Sequence, residues 1–274
     1  MKHFICLLIL IALPGIVFCQ DSNENLSDTL FRHIQDSRNF DPFPFIQSFL
    51  LPFGMTVHLL MLFLSTILIL SIFITTFRKP VLKPKGLVVL IESIVIFVRD
   101  DIVYPVMGKI RGEKWLPFFL TLFIFLLVVN YLGLIPAFKS ATGNITVTSA
   151  LSIMIMVLIF ATGIKKMGFI KFFKNYYPEG TPLPIGIFVV FLEFVGTFIK
   201  TIVLSLRLFA NMFAGHLAIV SFLLLMFVLN PVFGFVSVPF TVFLFALEVL
   251  VALIQALVFT LLSCIFITMA SSAH

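Results

Sequence analysis

The sequence predicts an all-α, polytopic membrane protein of about five or six membrane helices, with one further helix lying on the cytoplasmic face. Three observations carry that expectation. Of the 274 residues, 61% are hydrophobic and only 11% are charged, whereas a soluble domain carries about a quarter charged residues. The mean hydropathy is +1.21. Apolar runs long enough to cross a hydrocarbon core of about 30 Å alternate with short clusters of Lys and Arg. So few charges cannot cover a water-facing surface, so the one or two soluble domains that the length alone would allow are excluded. The 36 Phe suit positions facing lipid or filling gaps between helices.

The formal net charge is +6. In a soluble protein that would point to nucleic acid or acidic partners. Here the basic residues gather in loops on one side, as the positive-inside rule requires, so membrane lipid and not nucleic acid is the expected surrounding. Cys6, Cys19 and Cys264 show no zinc-ligand spacing and no disulfide framework. No phosphate-binding glycine loop and no nucleophile–base constellation stands out. No cofactor or metal is therefore expected.

From the N-terminus, Met1-Lys2-His3 and the apolar run to Phe18 resemble a secretory signal with a basic start. The expected signal peptide is 1–19, with an uncleaved anchor helix as the alternative. Residues 20–52 form an extracytoplasmic segment and 53–274 the membrane domain. The first clear span, about Phe53–Phe77, stops at Arg78-Lys79-Pro80-Val81-Leu82-Lys83-Pro84-Lys85, which places that end in the cytoplasm. Residues 86–114 mix an apolar stretch with Arg99-Asp100-Asp101 and Lys109–Lys114, and suit a helix on the cytoplasmic surface. A second span follows from about Trp115 to Ile135, and a third from about Ser149 to Ile164, which returns to Lys165-Lys166. That alternation sets the N-terminus outside and the C-terminus in the cytoplasm.

Beyond Pro182 the pattern changes. Between Pro184 and Pro231 there is no proline, and a helix through the whole stretch would approach about 70 Å, twice the hydrocarbon thickness. The stretch must fold into two spans or lie steeply inclined, and physics alone leaves both open. About Val236–Met269 poses the same problem at shorter length.

Ionisable groups at membrane depth are costly and usually face a cavity or a partner. This chain puts Glu193, Lys200, Arg207 and His216 in one apolar segment, and Glu248 and Gln255 in the next. Taken singly, each could be a paired or snorkelling stabiliser, Lys200 most easily. Arg207 stands far from both ends of its segment. Glu193, Lys200 and Arg207 recur every seventh residue, so they share a helical face, with Thr197, Asn211 and Ala214 on the same stripe. His216 falls on roughly the opposite side. If the two segments run antiparallel, Gln255 can sit level with Arg207 and Glu248 near His216. That arrangement gives two polar pockets, His216 with Glu248 toward the outside and Glu193 toward the cytoplasm, with a fixed cation between them. Ala210, Ala214, Gly215 and Ala218 allow close approach of another helix.

The run Ser205-Leu206-Arg207-Leu208-Phe209-Ala210-Asn211-Met212-Phe213-Ala214-Gly215-His216 closely resembles the signature of F-type ATP synthase subunit a. Glu248–Thr260, with Gln255-Ala256, is similar to that family's last helix. Tyr131–Pro136 and Thr142-Gly143-Asn144 are similar to its central hairpin. The resemblance implies a bacterial inner-membrane subunit that does no ATP chemistry itself. Its expected partners are a c-subunit ring, the subunit b peripheral stalk and the rest of the complex. It implies that both long segments are tilted helices packed along the c-ring. By the same resemblance Arg207 is the stator arginine, which releases the proton from each passing c-subunit carboxylate and blocks leakage between half-channels. Asn211 and Gln255 orient groups around it. His216 and Glu248 line the external half-channel and Glu193 the cytoplasmic one, with Lys200 beside that path. Some members of the family carry a carboxylate at the position of His216 and a histidine at that of Glu248; this chain has the reverse placement. The His216/Glu248 pair favours H⁺ over Na⁺. A transporter or channel acting alone would show paired helix breaks, and a structural assembly protein would not require Arg207 in mid-membrane.

Overall fold

A computed structural model describes residues 57–77, 86–135, 140–168, 172, 182–229 and 234–271. The expected signal peptide, the extracytoplasmic segment and the basic stop at 78–85 lie outside the described residues. The described chain is helical throughout: α1 (Val57–Phe77), α2 (Leu87–Phe97), α3 (Tyr104–Met107), α4 (Lys109–Gly133), α5 (Ile145–Met167), α6 (Leu183–Leu229) and α7 (Gly234–Ser271). One turn of π-helix, Val98–Val103, joins α2 to α3. Five of these helices are long and apolar enough to cross a membrane, through His58–Thr76, Lys109–Gly133, Ile145–Met167, Pro184–Ile219 and Ser237–Ser271. The N-terminal apolar run, where a further helix was the alternative to a signal peptide, lies outside the described residues.

The expected surface helix ends sooner than the charge pattern suggested. Gly108 adopts φ 73°, a left-handed conformation open to glycine, and the chain turns there. Lys109–Lys114 therefore begin α4 and do not extend the surface helix. The Arg99 guanidinium grips the Asp100 carboxylate through two hydrogen bonds of 2.9 Å. That contact holds the Asp100 carboxyl below the usual carboxylate range. Whatever the exposed pair contributes is thus present at neutral pH and lost as pH falls through the depressed value.

The long segment from Pro184 resolves as a single helix. α6 runs 47 residues without interruption, or about 70 Å at 1.5 Å per residue. Pro184 sits in its first turn, where a missing N–H costs nothing, and no later proline interrupts the ladder. α7 continues for 38 residues. Its Pro239 lies near its start, and Pro117 lies inside α4. Hydroxyls within these apolar helices bond back to the preceding turn, as Ser65 does to the Met61 carbonyl (2.7 Å), Thr260 to Ala256 (2.8 Å) and Ser263 to Phe259 (2.7 Å). Each hydroxyl is thereby satisfied without water.

The chain divides into two compact units. The first takes the described parts of Met1–Ile72, Phe125–Asn144 and Phe209–Gln255. Its apolar packing joins Met61 to Val129 and Ala141, and Leu134 to Met212 and Ala252. The second takes the described parts of Phe73–Ile124, Ile145–Leu208 and Ala256–His274. There Phe160 of α5 packs on Phe172 and on Phe194 and Phe198 of α6. A hydroxyl cluster ties the same two helices together: Ser205 donates to Thr148 and shares a hydrogen bond with Ser149, each at 3.2 Å.

Candidate functional site

In the first unit, α6 and α7 bring Asn211 to Gln255 and Gly215 to Glu248. The Asn211 carboxamide donates to Gln255 Oε1 at 2.8 Å. Asn211 follows Arg207 by one helical turn, so Gln255 engages α6 just beyond the arginine. Glu248 is buried, at 5% exposure, and lies directly against Gly215. A Cβ built on Gly215 would stand 2.4 Å from Glu248 Oε1 and 2.7 Å from its Cδ. Only a glycine lets the carboxyl occupy that place, next in sequence to His216, which is half-buried.

Neither carboxyl oxygen of Glu248 has a hydrogen-bond partner among the described residues, and neither does Gln255 Nε2. Buried polar groups are ordinarily paired, and exceptions concentrate where chemistry needs them free. Among the described residues, packing alone holds the Glu248 carboxyl.

The structure adds groups that the sequence had not assigned. Asn130, near the end of α4 and 2% exposed, donates to the Ala252 carbonyl at 3.3 Å and accepts from Thr142 at 3.0 Å. Thr142 in turn meets Ser140 at 3.3 Å. Ala252 is one turn beyond Glu248 on α7. This buried cluster was hard to read because its members are neutral and come from two ends of a hairpin. The one signal was an Asn in an apolar run.

In the second unit, Glu193 and Lys200 pair with each other at 3.7 Å, and both remain partly exposed. Lys200 also lies 5.9 Å from the Phe266 ring centre. The seven-residue spacing of these two residues thus produces an ion pair. The single stripe expected on α6 splits, however. Thr197, Thr201 and Ser205 are buried, whereas Leu206, Arg207, Ala210, Asn211 and Ala214 stand exposed. The reason is geometric: at about 100° per residue, Thr197 lies well off the direction of Arg207. Among the described residues Arg207 makes no ion pair.

Five membrane-length helices, a buried carboxyl and, among the described residues, an exposed arginine without an ion pair mark a polytopic membrane protein that keeps ionisable groups in its apolar segments. The chain matches the family model described as ATP synthase A chain over residues 59–268, more than half its length. It belongs to that family. It is 37% identical over 263 residues to ATP synthase subunit a of Chlorobium phaeobacteroides (strain DSM 266 / SMG 266 / 2430), covering 91% of this chain and 76% of the relative. It is likewise 37% identical over 266 residues to ATP synthase subunit a 2 of Chlorobaculum tepidum, covering 92% and 75%. With ATP synthase subunit a of Chloroherpeton thalassium it shares 38% identity over 251 residues, covering 87% and 75%. The chain is therefore a non-catalytic, proton-conducting stator subunit, a multi-pass component of an inner-membrane complex.

Proposed function

We propose that this chain supplies two proton half-channels to a ring of c subunits, so that proton flow loads and unloads the ring carboxylates and turns the ring. Arg207 is the stator charge between them. His216 and Glu248 line the external half-channel and Glu193 the cytoplasmic one, with Lys200 holding Glu193 by its ion pair. Asn211 and Gln255 orient the groups around Arg207 through their hydrogen bond. One observation carries the reading: Arg207 stands exposed and, among the described residues, without an ion pair on an apolar helix, flanked by exposed Ala210 and Ala214. A guanidinium stays charged in a desolvated setting where a lysine could lose its proton. Such a cation needs an anion brought to it from outside the chain, and the small residues beside it admit a closely approaching helix.

The same reading sets the start of α1 outside and the end of α7 in the cytoplasm. Five crossings, one for each membrane-length helix, would put those ends on opposite sides. Lys166, at the basic end of α5, hydrogen-bonds the Ser271 carbonyl at the end of α7, which supports assigning both ends to the positive, cytoplasmic side. Subunit b is expected to hold the chain against rotation.

Cross-linking tests the ring surface. Ala214→Cys, in a complex with a cysteine beside the c-subunit carboxylate, is expected to form an a–c disulfide under mild oxidation. A cysteine at Ile153, exposed on α5, should form none. Cross-linking at Ile153 but not at Ala214 would overturn the placement of the ring.

A further inference from the structure

We infer that His58 is a further proton-handling residue, an imidazole that passes protons into the polar cluster leading to Glu248. The inference rests on the half-channel reading above and extends it to a helix that reading does not use. α1 turns Leu59, Phe63, Leu64, Ile67, Leu68, Leu70 and Ile74 outward. Its buried residues, among those described, are His58 at 3% exposure, Met61 at 3% and Ser65 at 0%. These recur at helical spacing, so one narrow face of α1 packs inward, and two of its three residues are polar. Ser65 bonds back to the Met61 carbonyl, and His58 brings an imidazole to the packed face.

That face packs on the two stretches of chain that carry the polar cluster. Met61, one turn from His58, packs on Val129 and Ala141. The residues that follow these two in sequence are Asn130 and Thr142, which hydrogen-bond each other at 3.0 Å. Asn130 reaches the Ala252 carbonyl, one turn from Glu248. All of these residues belong to one compact unit. Imidazole suits the task because it can accept a proton on one ring nitrogen while releasing one from the other. It is regenerated by rotation or by the reverse exchange, and no other bond changes. Among the described residues of the packed stretches, the polar groups Asn130, Ser140, Thr142 and Asn144 carry no charge, and His58 adds an imidazole to the face of α1 that packs on those stretches.

The test measures potential-driven proton conduction per assembled complex in vesicles, for His58→Gln, His58→Ala and, in parallel, Glu248→Gln. Both His58 variants are expected to assemble and to lose conduction by about a hundredfold, the lower end of what loss of a positioned proton-transfer group costs. Imidazole added on the external side should restore His58→Ala, and the same addition on the cytoplasmic side should not. Wild-type conduction in His58→Gln, failure of both His58 variants to assemble, or absence of rescue would assign the ring to packing and overturn the inference. Wild-type conduction in Glu248→Gln would instead overturn the half-channel reading itself, so the two failures are told apart.

Discussion

At the scale of single residues, the contact between Gly215 and Glu248 is the tightest constraint on the proposed external path. With a Cβ only 2.4 Å from Oε1, Gly215→Ala must push the carboxyl aside. Overpacking of this kind costs about 1–3 kcal/mol. The expected outcome is a complex that assembles and conducts about tenfold more slowly, read as proton flux per complex; unchanged flux would show that the carboxyl position is not critical. Asn211 and Gln255 make a second residue-scale prediction. Alanine at either site, and at both, should give a coupling of about 1 kcal/mol in thermal unfolding, the worth of one hydrogen bond. Strict additivity would mean that the bond adds nothing. Arg207, Glu248 and Gln255 were legible in the sequence because a polar group in an apolar run has few innocent explanations. Gly215 was not, since a glycine beside small residues reads equally well as ordinary helix packing. His58 was passed over because a lone histidine at the head of a span carries no pattern.

At the scale of elements, composition fixed α6 more firmly than periodicity did. The absence of proline after Pro184 allowed either a long inclined helix or two spans, and α6 runs as one uninterrupted helix. The boundary at Gly108 was less legible, because apolar and charged residues mix on both sides of it and only the backbone conformation marks the turn. Interhelix contacts were invisible to sequence: Ser205 meets Ser149 and Thr148 across two helices, from positions 56 and 57 residues apart in the chain. Ser205→Ala should cost about 0.6 kcal/mol, typical of a hydroxyl contact between membrane helices, seen as a small fall in detergent thermal stability. Gly163 should be far more sensitive. A Cβ there would meet Phe172 at 2.2 Å and the Ala270 carbonyl at 3.1 Å, so Gly163→Ala should lower the yield of folded chain. A fully stable Gly163→Ala chain would show that α5 and the end of α7 are not in contact.

At the scale of the whole molecule, the alternation of basic and non-basic loops predicts topology. A membrane-impermeant thiol reagent should label Asn144→Cys from the external side and Lys166→Cys from the cytoplasmic side, in a background without native cysteines; the reverse labelling would invert the chain. The all-α class and the count of spans were legible because the bilayer imposes length and apolarity on each span. How α6 and α7 align could be argued only as a register, and the Asn211–Gln255 bond supplies it. The central claim, that Arg207 is the stator charge of a rotary proton path, is tested most directly by ATP-driven proton pumping in vesicles. The assembled complex would carry Arg207→Ala, with wild type and Arg207→Lys alongside. The account predicts that pumping vanishes in Arg207→Ala while the complex still assembles, and that lysine restores little of it. Pumping near the wild-type rate in Arg207→Ala would contradict the account and leave Arg207 a structural cation.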